Sequence, residues 1–467
     1  MDLAFAITGV PGPVPEPDDF GDAPAPYPTL LANNGAHHTA VPGLSLGNLI
    51  DTEADGLPNA TATGDDTNNL ADEDGVTFNT AFFAGVPNTL TVTATMPPGM
   101  TAYLNAWIDF NGDGDWADPG EQIFTDAIVL NGANNLTFTP PAFTALGKTF
   151  ARFRLSSVRG LSYTGAAPDG EVEDYQIDIV SAKWLQRPDL TATGVDVDNH
   201  FVQLADDFKC TQTGAIRDIH IWTSFYGDIV PPVLNSLTFT LYIYSDVPVG
   251  PGNPYPYSHP GTQLWSKTFQ PGTYRAGLCA NVHGEWWFDP VQNFWHFPGD
   301  TQVYQYDFYI PEAEAFRQTK GTIYWLGVKY NADMTEFTMG WKSTREHWND
   351  DACWLDTSSG LPIWRELRYG DGHPLAPDSM DLAFALTGKS CPRPQQDSEP
   401  DGDVDLADFS VFQSCFNGPN RPWKGPPPPT QVCACFDDDD DGDVDLADFS
   451  AFQACFNGPN RPPKPGC

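Results

Sequence analysis

Positive charge is the scarcest feature of this sequence. Lys and Arg number 23 against 62 Asp and Glu, for a formal net charge of −39. A surface that acidic repels nucleic acid and anionic membranes, which excludes partners gripped through their phosphates. Long apolar runs are missing as well. None approaches the ~18 residues that a membrane-spanning helix needs, and the first residues show neither the basic segment nor the apolar stretch of a secretory leader. No stretch before about residue 390 sustains a 3.6-residue period, so helices are not the building material there. The commonest catalytic fingerprints are absent too: no H-E-x-x-H, no P-loop, no dinucleotide-binding glycine pattern. Gly43-Leu-Ser-Leu-Gly47 matches a nucleophile elbow by its letters alone, because an acidic loop follows where that motif needs a helix. Carboxylates are too numerous to single out a glycosidase pair. The expectation is a protein that is not an enzyme.

What is present is aromatic and rich in turns. The chain of 467 residues holds 14 Trp, 30 Phe and 16 Tyr, with 42 Gly and 44 Pro. That aromatic area builds real cores, so the acidity is not that of a disordered chain. The length suits two or three domains. Thr89 to Thr95 and Phe150-Ala-Arg-Phe-Arg-Leu155 alternate in the manner of strands, and Val172 to Ile179 reads as a closing strand. Leu237 to Tyr244, Val303 to Ile310 and Thr322 to Lys329 read alike. Glu312 to Lys320 suits either a short helix or a polar loop. The fold class expected is mostly β: two antiparallel β-sandwich domains, then a small α-helical module with a double calcium loop.

One repeat bears on the start. Residues 1–9 read MDLAFAITG and residues 380–388 read MDLAFALTG, each followed by a Pro-containing linker. The second copy closes the middle domain. The first therefore reads as the terminal strand remnant of a preceding copy, with any signal peptide lost by truncation. Residues 10–25, rich in Pro and Asp, read as a linker. The domains expected are 10–182, 183–389 and 390–467.

Cysteines are unevenly spread. Cys210, Cys279 and Cys353 lie far apart, whereas Cys391, Cys415, Cys433, Cys435, Cys455 and Cys467 crowd the tail. Crowding of this kind suggests disulfides and an oxidising compartment, with the connectivity left open. Zinc is the rival reading. It fits poorly, because Cys433-Ala-Cys435 is too closely spaced for an ordinary zinc knuckle and no second knuckle follows.

In that tail, residues 397–408 and 437–448 repeat at an offset of 40. Donors stand at loop positions 1, 3, 5, 7, 9 and 12, with glycine at 6, so that alternate groups converge on one hard cation. The candidate ligands are Asp397, Glu399, Asp401, Asp403, Asp405 and Asp408 in the first loop. In the second they are Asp437, Asp439, Asp441, Asp443, Asp445 and Asp448. Of the second set, Asp443 offers its backbone carbonyl, Asp445 acts through water and Asp448 closes the shell. Glu399 is a departure, since a longer arm must fold into a tight shell. A merely solvated acidic run would not explain Gly402 and Gly442, Val404 and Val444, and an acid at position 12 in both copies. After each loop the period turns helical: Leu406, Phe409, Phe412 and Phe416 share one face, and Leu446, Phe449, Phe452 and Phe456 repeat it. A calcium loop followed by one helix, doubled, resembles the type I dockerin module. That resemblance implies docking onto a cohesin-like protein module through Leu406, Ala407, Leu446 and Ala447. Dockerins often carry hydroxyl residues at those places, and the extra cysteines and Pro426 to Pro429 also depart from the pattern.

A third loop lies in the first domain. In Asp109 to Glu121 the candidate ligands are Asp109, Asn111, Asp113, Asp115, Asp118 and Glu121, with Gly114 turning the chain. Two carboxylates ~4 Å apart repel by roughly 1 kcal/mol in water and by about 4 kcal/mol at an effective dielectric of about 20, so several such pairs need a cation to close up. Asp19-Phe-Gly-Asp-Ala-Pro24, Asp72-Glu-Asp-Gly-Val76, the Trp107 to Glu121 segment and Gly170-Glu-Val-Glu-Asp-Tyr175 together resemble the GEVED domain of bacterial surface and secreted proteins. The resemblance covers residues 18–180 and implies a β-sandwich in an extracellular setting. Glu171, Glu173 and Asp174 either help the metal or cap the last strand.

Residues 183–388 are thick with Trp, including Trp222, Trp265, Trp286, Trp287, Trp295 and Trp325. Asp206-Asp-Phe-Lys-Cys210 and Asp218-Ile-His-Ile-Trp222 resemble an uncharacterised β-rich domain found beside dockerin-like tails. Trp faces can stack on sugars, but large domains bury many aromatics in any case. His220 reads as a surface or boundary histidine. The functional expectation is an extracellular or cell-surface calcium-binding protein that acts in assembly or adhesion. The alternative is a non-catalytic glycan-binding component of a polysaccharide-degrading system. Neither nucleic acid nor membrane insertion is expected.

Overall fold

The computed structural model describes residues 18–64, 71–142, 147–180, 182–211, 213–331 and 337–388. In the tail it describes residues 396, 404–416, 418–419, 433, 435–437, 444–458 and 461. Residues 1–9, the proposed strand remnant, lie outside the described residues. The fold is mostly β; among the described residues, α-helices occur only near the C-terminus. The residues cluster into two compact units. Of the described residues, one takes those up to 77 together with 90–136 and 149–177; the other takes those in 78–89, 137–148 and from 178 on.

In the first unit, the strand Asn88–Thr95 alternates as its sequence predicts, with Leu90, Val92 and Ala94 buried. The strand Ala102–Ile108 lies inside a second sheet, between Gln122–Val129 and Gly147–Ser156, with Glu171–Ile179 at the edge beyond. A third sheet joins Asp18–Phe20 to His37–Thr39 and Ala166–Ala167. This corrects the linker reading of residues 10–25 for residues 18–25; residues 10–17 lie outside the described residues. From Asp18 the chain is already strand, and Asp19, Phe20, Asp22 and Ala23 are buried. Asp19 and Asp22 accept hydrogen bonds from the backbone amides of Val172 and Gly64 rather than acting as solvated spacers.

Alternation also conceals something on Gly147–Ser156. Its outward-reading Arg152 and Arg154 are both fully buried. Arg152 gives Nε and Nη2 to the two oxygens of Asp174 at 2.7 and 2.6 Å, Nη1 to Pro28 O and Tyr163 O, and Nη2 also to Thr29 Oγ1. Arg154 gives its protons to His38 Nε2 and to the carbonyls of Ser162, Thr164, His37 and Gly165. A guanidinium has five N–H donors, so each arginine spends all of them inside the fold.

The second unit is built on two large sheets. One runs through Ala182–Gln186, Phe384–Thr387, Asp218–Phe225, Met339–Thr344, Val195–Asp198, Trp286–Asp289 and Phe294–His296. The other is a six-stranded sheet through His259–Phe269, Thr238–Val247, Ile323–Asn331, Leu204–Lys209, Cys353–Asp356 and Ile363–Glu366. The pairing is antiparallel throughout except that Val195–Asp198 meets Trp286–Asp289 in parallel. The core includes Leu204, Phe239, Leu241, Tyr306, Phe308, Leu326 and Trp341. The repeated segment 380–388 lies deep in it: Met380 to Leu386 are all buried, and Phe384–Thr387 is flanked by two strands. Glu312–Glu314 forms one 3₁₀ turn before the short strand Arg317–Gln318. Among the described residues no helix is long and apolar enough to cross a membrane.

The described tail holds two ten-residue helices, Leu406–Cys415 and Leu446–Cys455. Phe412 and Phe452 meet with ring centroids 5.2 Å apart, and Val404, Phe436 and Val444 complete a small core. The helical face differs from the one expected. Asp408, Phe412 and Cys415 are its buried residues, whereas Leu406 and Leu446 are 70% and 69% exposed. At about 100° per residue, Asp408, Phe412 and Cys415 fall within an arc of about 60°, and Leu406 lies on the other side of the helix. Cys415 is bonded to Cys433, and Cys435 and Cys455 also stand in disulfides. Cys210, Cys279 and Cys353 are buried thiols.

Candidate metal loops and buried acid clusters

The loop after Ala102–Ile108 divides its six predicted ligands into two groups. Asp109 is buried and already engaged: Oδ1 accepts from Gly112 N at 2.6 Å, and Oδ2 from Tyr27 Oη at 2.6 Å and Gly114 N at 3.0 Å. Glu121, also buried, accepts from Phe110 N at 3.2 Å and Asp118 N at 3.1 Å. Burial pushes its carboxyl up to about 7; the amides pull it down, and the charges of Asp109 and Asp113 add to the rise. Asp113, Asp115 and Asp118 are exposed, and one oxygen from each lies within 4.8 Å of the others. Asn111 Nδ2 donates to Asp113 Oδ2 at 3.2 Å and to Asp118 Oδ2 at 2.5 Å. Asp109 and Glu121 thus shape the loop from inside, while the three outer acids form the converging group. Gly114 adopts φ +89°, and a Cβ there would come within 2.4 Å of Pro26, so no other residue fits the turn.

In the tail, Asp397, Glu399, Asp401, Asp403, Asp439, Asp441 and Asp443 lie outside the described residues. The rest repeat closely. Asp405 caps its helix, accepting from Ala407 N at 2.7 Å, while Asp408 Oδ2 accepts from Asp405 N at 2.7 Å. Asp445 and Asp448 reproduce both bonds at the same distances. Each pair is a capping box made with aspartate, in which two amides at the helix start are satisfied reciprocally. Asp437, Asp408 and Asp448 are buried. Ala407 and Ala447 are exposed beside Leu406 and Leu446.

The middle domain buries or half-buries its tryptophans, while Phe201 and Tyr309 are exposed. No Trp among the described residues is exposed, and Trp222, Trp325 and Trp341 are fully enclosed. His220 is corrected from a boundary position: it is 3% exposed, its Nδ1 lies 2.7 Å from Asp307 Oδ1, and Phe83 packs edge-on against its ring. Asp218–Phe225 has neighbours on both edges and is buried on both faces, so alternation could not single out an outer side.

Sequence reasoning missed two acid groups here. Asp196, Glu285 and Asp300 converge in the interior, where Lys342 Nζ meets Asp196 Oδ2 at 2.7 Å and also Glu285. Burial pushes all three carboxyls up. Burial also works against the Lys342 charge, but Asp196, Glu285 and Asp300 outweigh it and hold the ammonium above its ordinary value. The ammonium occupies the role a cation would play. The second group is His347, Asp351 and Asp381, of which His347 and Asp381 line a cleft of about 490 Å³. His347 Nδ1 lies 3.0 Å from Asp381 Oδ2, Trp348 N donates to the same oxygen, and Arg368 pairs with Asp351 at 2.6 Å. An imidazole set against a carboxylate can hold and pass a proton, but both acids here are committed to cations or amides. Only Asp196 and Asp381 lie on strands, where periodicity cannot distinguish inward from outward on a strand buried on both faces; Glu285, Asp300, His347 and Asp351 lie between strands and carry no periodic signal.

Comparison with known protein families agrees with part of this. The GEVED domain model matches residues 103–178, a narrower span than the resemblance over 18–180. A domain of unknown function, DUF7901, matches residues 182–387. A search of curated proteins returned no match. Among solved structures, one described as showing the promiscuous specificity of carbohydrate-binding modules from the β-sandwich superfamily matches at 8% identity. It covers 55% of this chain and 96% of that one, with a TM-score of 0.13, which does not establish a shared fold.

Proposed function

We propose that the chain is an extracellular, non-catalytic surface protein that binds calcium and docks through its C-terminal loop–helix pair onto a cohesin-like protein module. The observation that carries this reading is the duplication in the tail. Two helices of equal length begin on the same Asp–Asp capping box, and each presents an exposed leucine at loop position 10, beside an exposed alanine. An exposed apolar residue repeated at equivalent places on two short helices suits a protein partner better than solvent. The disulfides support an oxidising compartment. The glycan-binding alternative finds no exposed tryptophan among the described residues: Trp222, Trp325 and Trp341 are enclosed, while Trp265, Trp286 and Trp295 are half-buried against the core.

The test is calcium titration of the chelated full chain, with helicity followed by circular dichroism. Helices this short are marginal alone, so calcium is expected to raise the helical signal, which comes from the tail. Asp441→Ala is expected to weaken the second loop more than Glu399→Ala weakens the first. Leu406→Asp together with Leu446→Asp should abolish calcium-dependent capture by immobilised cohesin modules. Unchanged helicity in excess chelator, or no calcium uptake at millimolar concentration, would sink the reading.

A further inference from the structure

We propose that Asp19, Asp72 and Glu171 form a buried site for one divalent cation, calcium by the chemistry of its donors, separate from the Asp109 to Glu121 loop and from the tail. The three come from distant places: the entry strand Asp18–Phe20, the segment before Val76–Phe78, and the start of the closing strand Glu171–Ile179. All three are buried, at 2%, 4% and 0% exposure. One oxygen from each lies within 4.8 Å of the other two. Calcium holds its oxygens at about 2.3–2.6 Å, so ligands on opposite sides of the ion stand about 5 Å apart, and no pair in the group is farther apart than that.

Each carboxylate is also aimed by a backbone amide. Val172 N donates to Asp19 Oδ2 at 2.7 Å, Asp51 N to Asp72 Oδ2 at 2.5 Å, and Leu46 N to Glu171 Oε2. This leaves Glu171 Oε1, which is fully buried, belongs to the carboxylate drawn into the group and accepts no hydrogen bond. A buried charged oxygen in that state is costly unless a cation meets it. The nearby arginines do not supply one. Arg154 feels the charge of Asp19, yet its donors go to His38 and four carbonyls, and those of Arg152 go to Asp174, Thr29 and two carbonyls. All-oxygen donors with carboxylate charge suit a hard divalent ion. Such an ion would tie the first strand of the unit to its last.

The experiment counts calcium per full chain by atomic emission after equilibrium dialysis at fixed free calcium. Asp113→Asn, Asp401→Asn and Asp441→Asn together disable the three loops, and one calcium per chain is expected to remain. Adding Glu171→Gln, which keeps the side chain's shape, should remove that ion; in the otherwise wild-type chain it should lower the count by one. Asp72→Asn is the second variant should Glu171→Gln fail to fold. A triple variant that holds no calcium overturns the proposal. So does a Glu171→Gln or Asp72→Asn chain with native circular dichroism and an undiminished count.

Discussion

Asp174 grips Arg152 with both oxygens at a place where neither side chain meets solvent. Removing one partner of a buried pair strands the other, which typically costs about 3–5 kcal/mol. Asp174→Asn is therefore expected to destabilise the first unit by that amount, read as a lowered urea midpoint at unchanged m-value. Glu285 behaves in another way. Burial lifts its carboxyl to about 8, Lys342 opposing and Asp196 adding. A carboxyl whose folded pKa exceeds its unfolded value, about 4.3, binds a proton that the unfolded chain has already released. Its contribution is fully present below the unfolded value and is lost as pH rises through about 8. Glu285→Gln should flatten the fall in stability of the middle domain between about pH 5 and pH 8, measured as unfolding midpoints across that range. A slope equal to that of the wild type would show that the cluster keeps no extra proton.

Among the elements, the strand Phe384–Thr387 shows how a repeated sequence acquires a role. It lies between Ala182–Gln186 and Asp218–Phe225, buried along its whole length. Phe384→Ala is expected to cost about 3–5 kcal/mol, checked by denaturant unfolding of the full chain. The strands at 88–95, 147–156 and 171–179 were legible because their residues alternate or enter after turn signals. The inward arginines of 147–156 were not, because their burial depends on carbonyls and an aspartate brought from other strands. The tail helices were legible from phenylalanine spacing. Their register was not, since the outward place of Leu406 follows from which arc meets the partner helix.

Across the whole molecule, the oxidised cysteines and the thiols occupy different places. The Cys415–Cys433 link spans 18 residues, and closing a loop of that order contributes about 3 kcal/mol. The β-sandwich core instead holds Cys210, Cys279 and Cys353 as thiols. Reducing agent is therefore expected to lower the helical signal of the tail while the near-ultraviolet signal of the buried tryptophans persists. Simultaneous loss of both signals would contradict this division. The charge of −39 works in the same direction. Screening at physiological ionic strength reaches only to about 8 Å, so carboxylates within one loop still repel and depend on a bound cation or on a backbone amide.

The sequence by itself determined the strands whose residues alternate, the two tail helices, where acids cluster in calcium-loop order, and that the tail cysteines suit disulfides. These are local properties, set by the period of side chains along a strand or helix and by spacing within a dozen residues. Tertiary structure alone decided that Asp19, Asp72 and Glu171 converge, that Lys342 lies among three buried acids and pairs with Asp196 and Glu285, and that His220 is enclosed. In each case the charge is met by a group far away in the chain. A one-dimensional pattern records the presence of such a charge but not its neighbour.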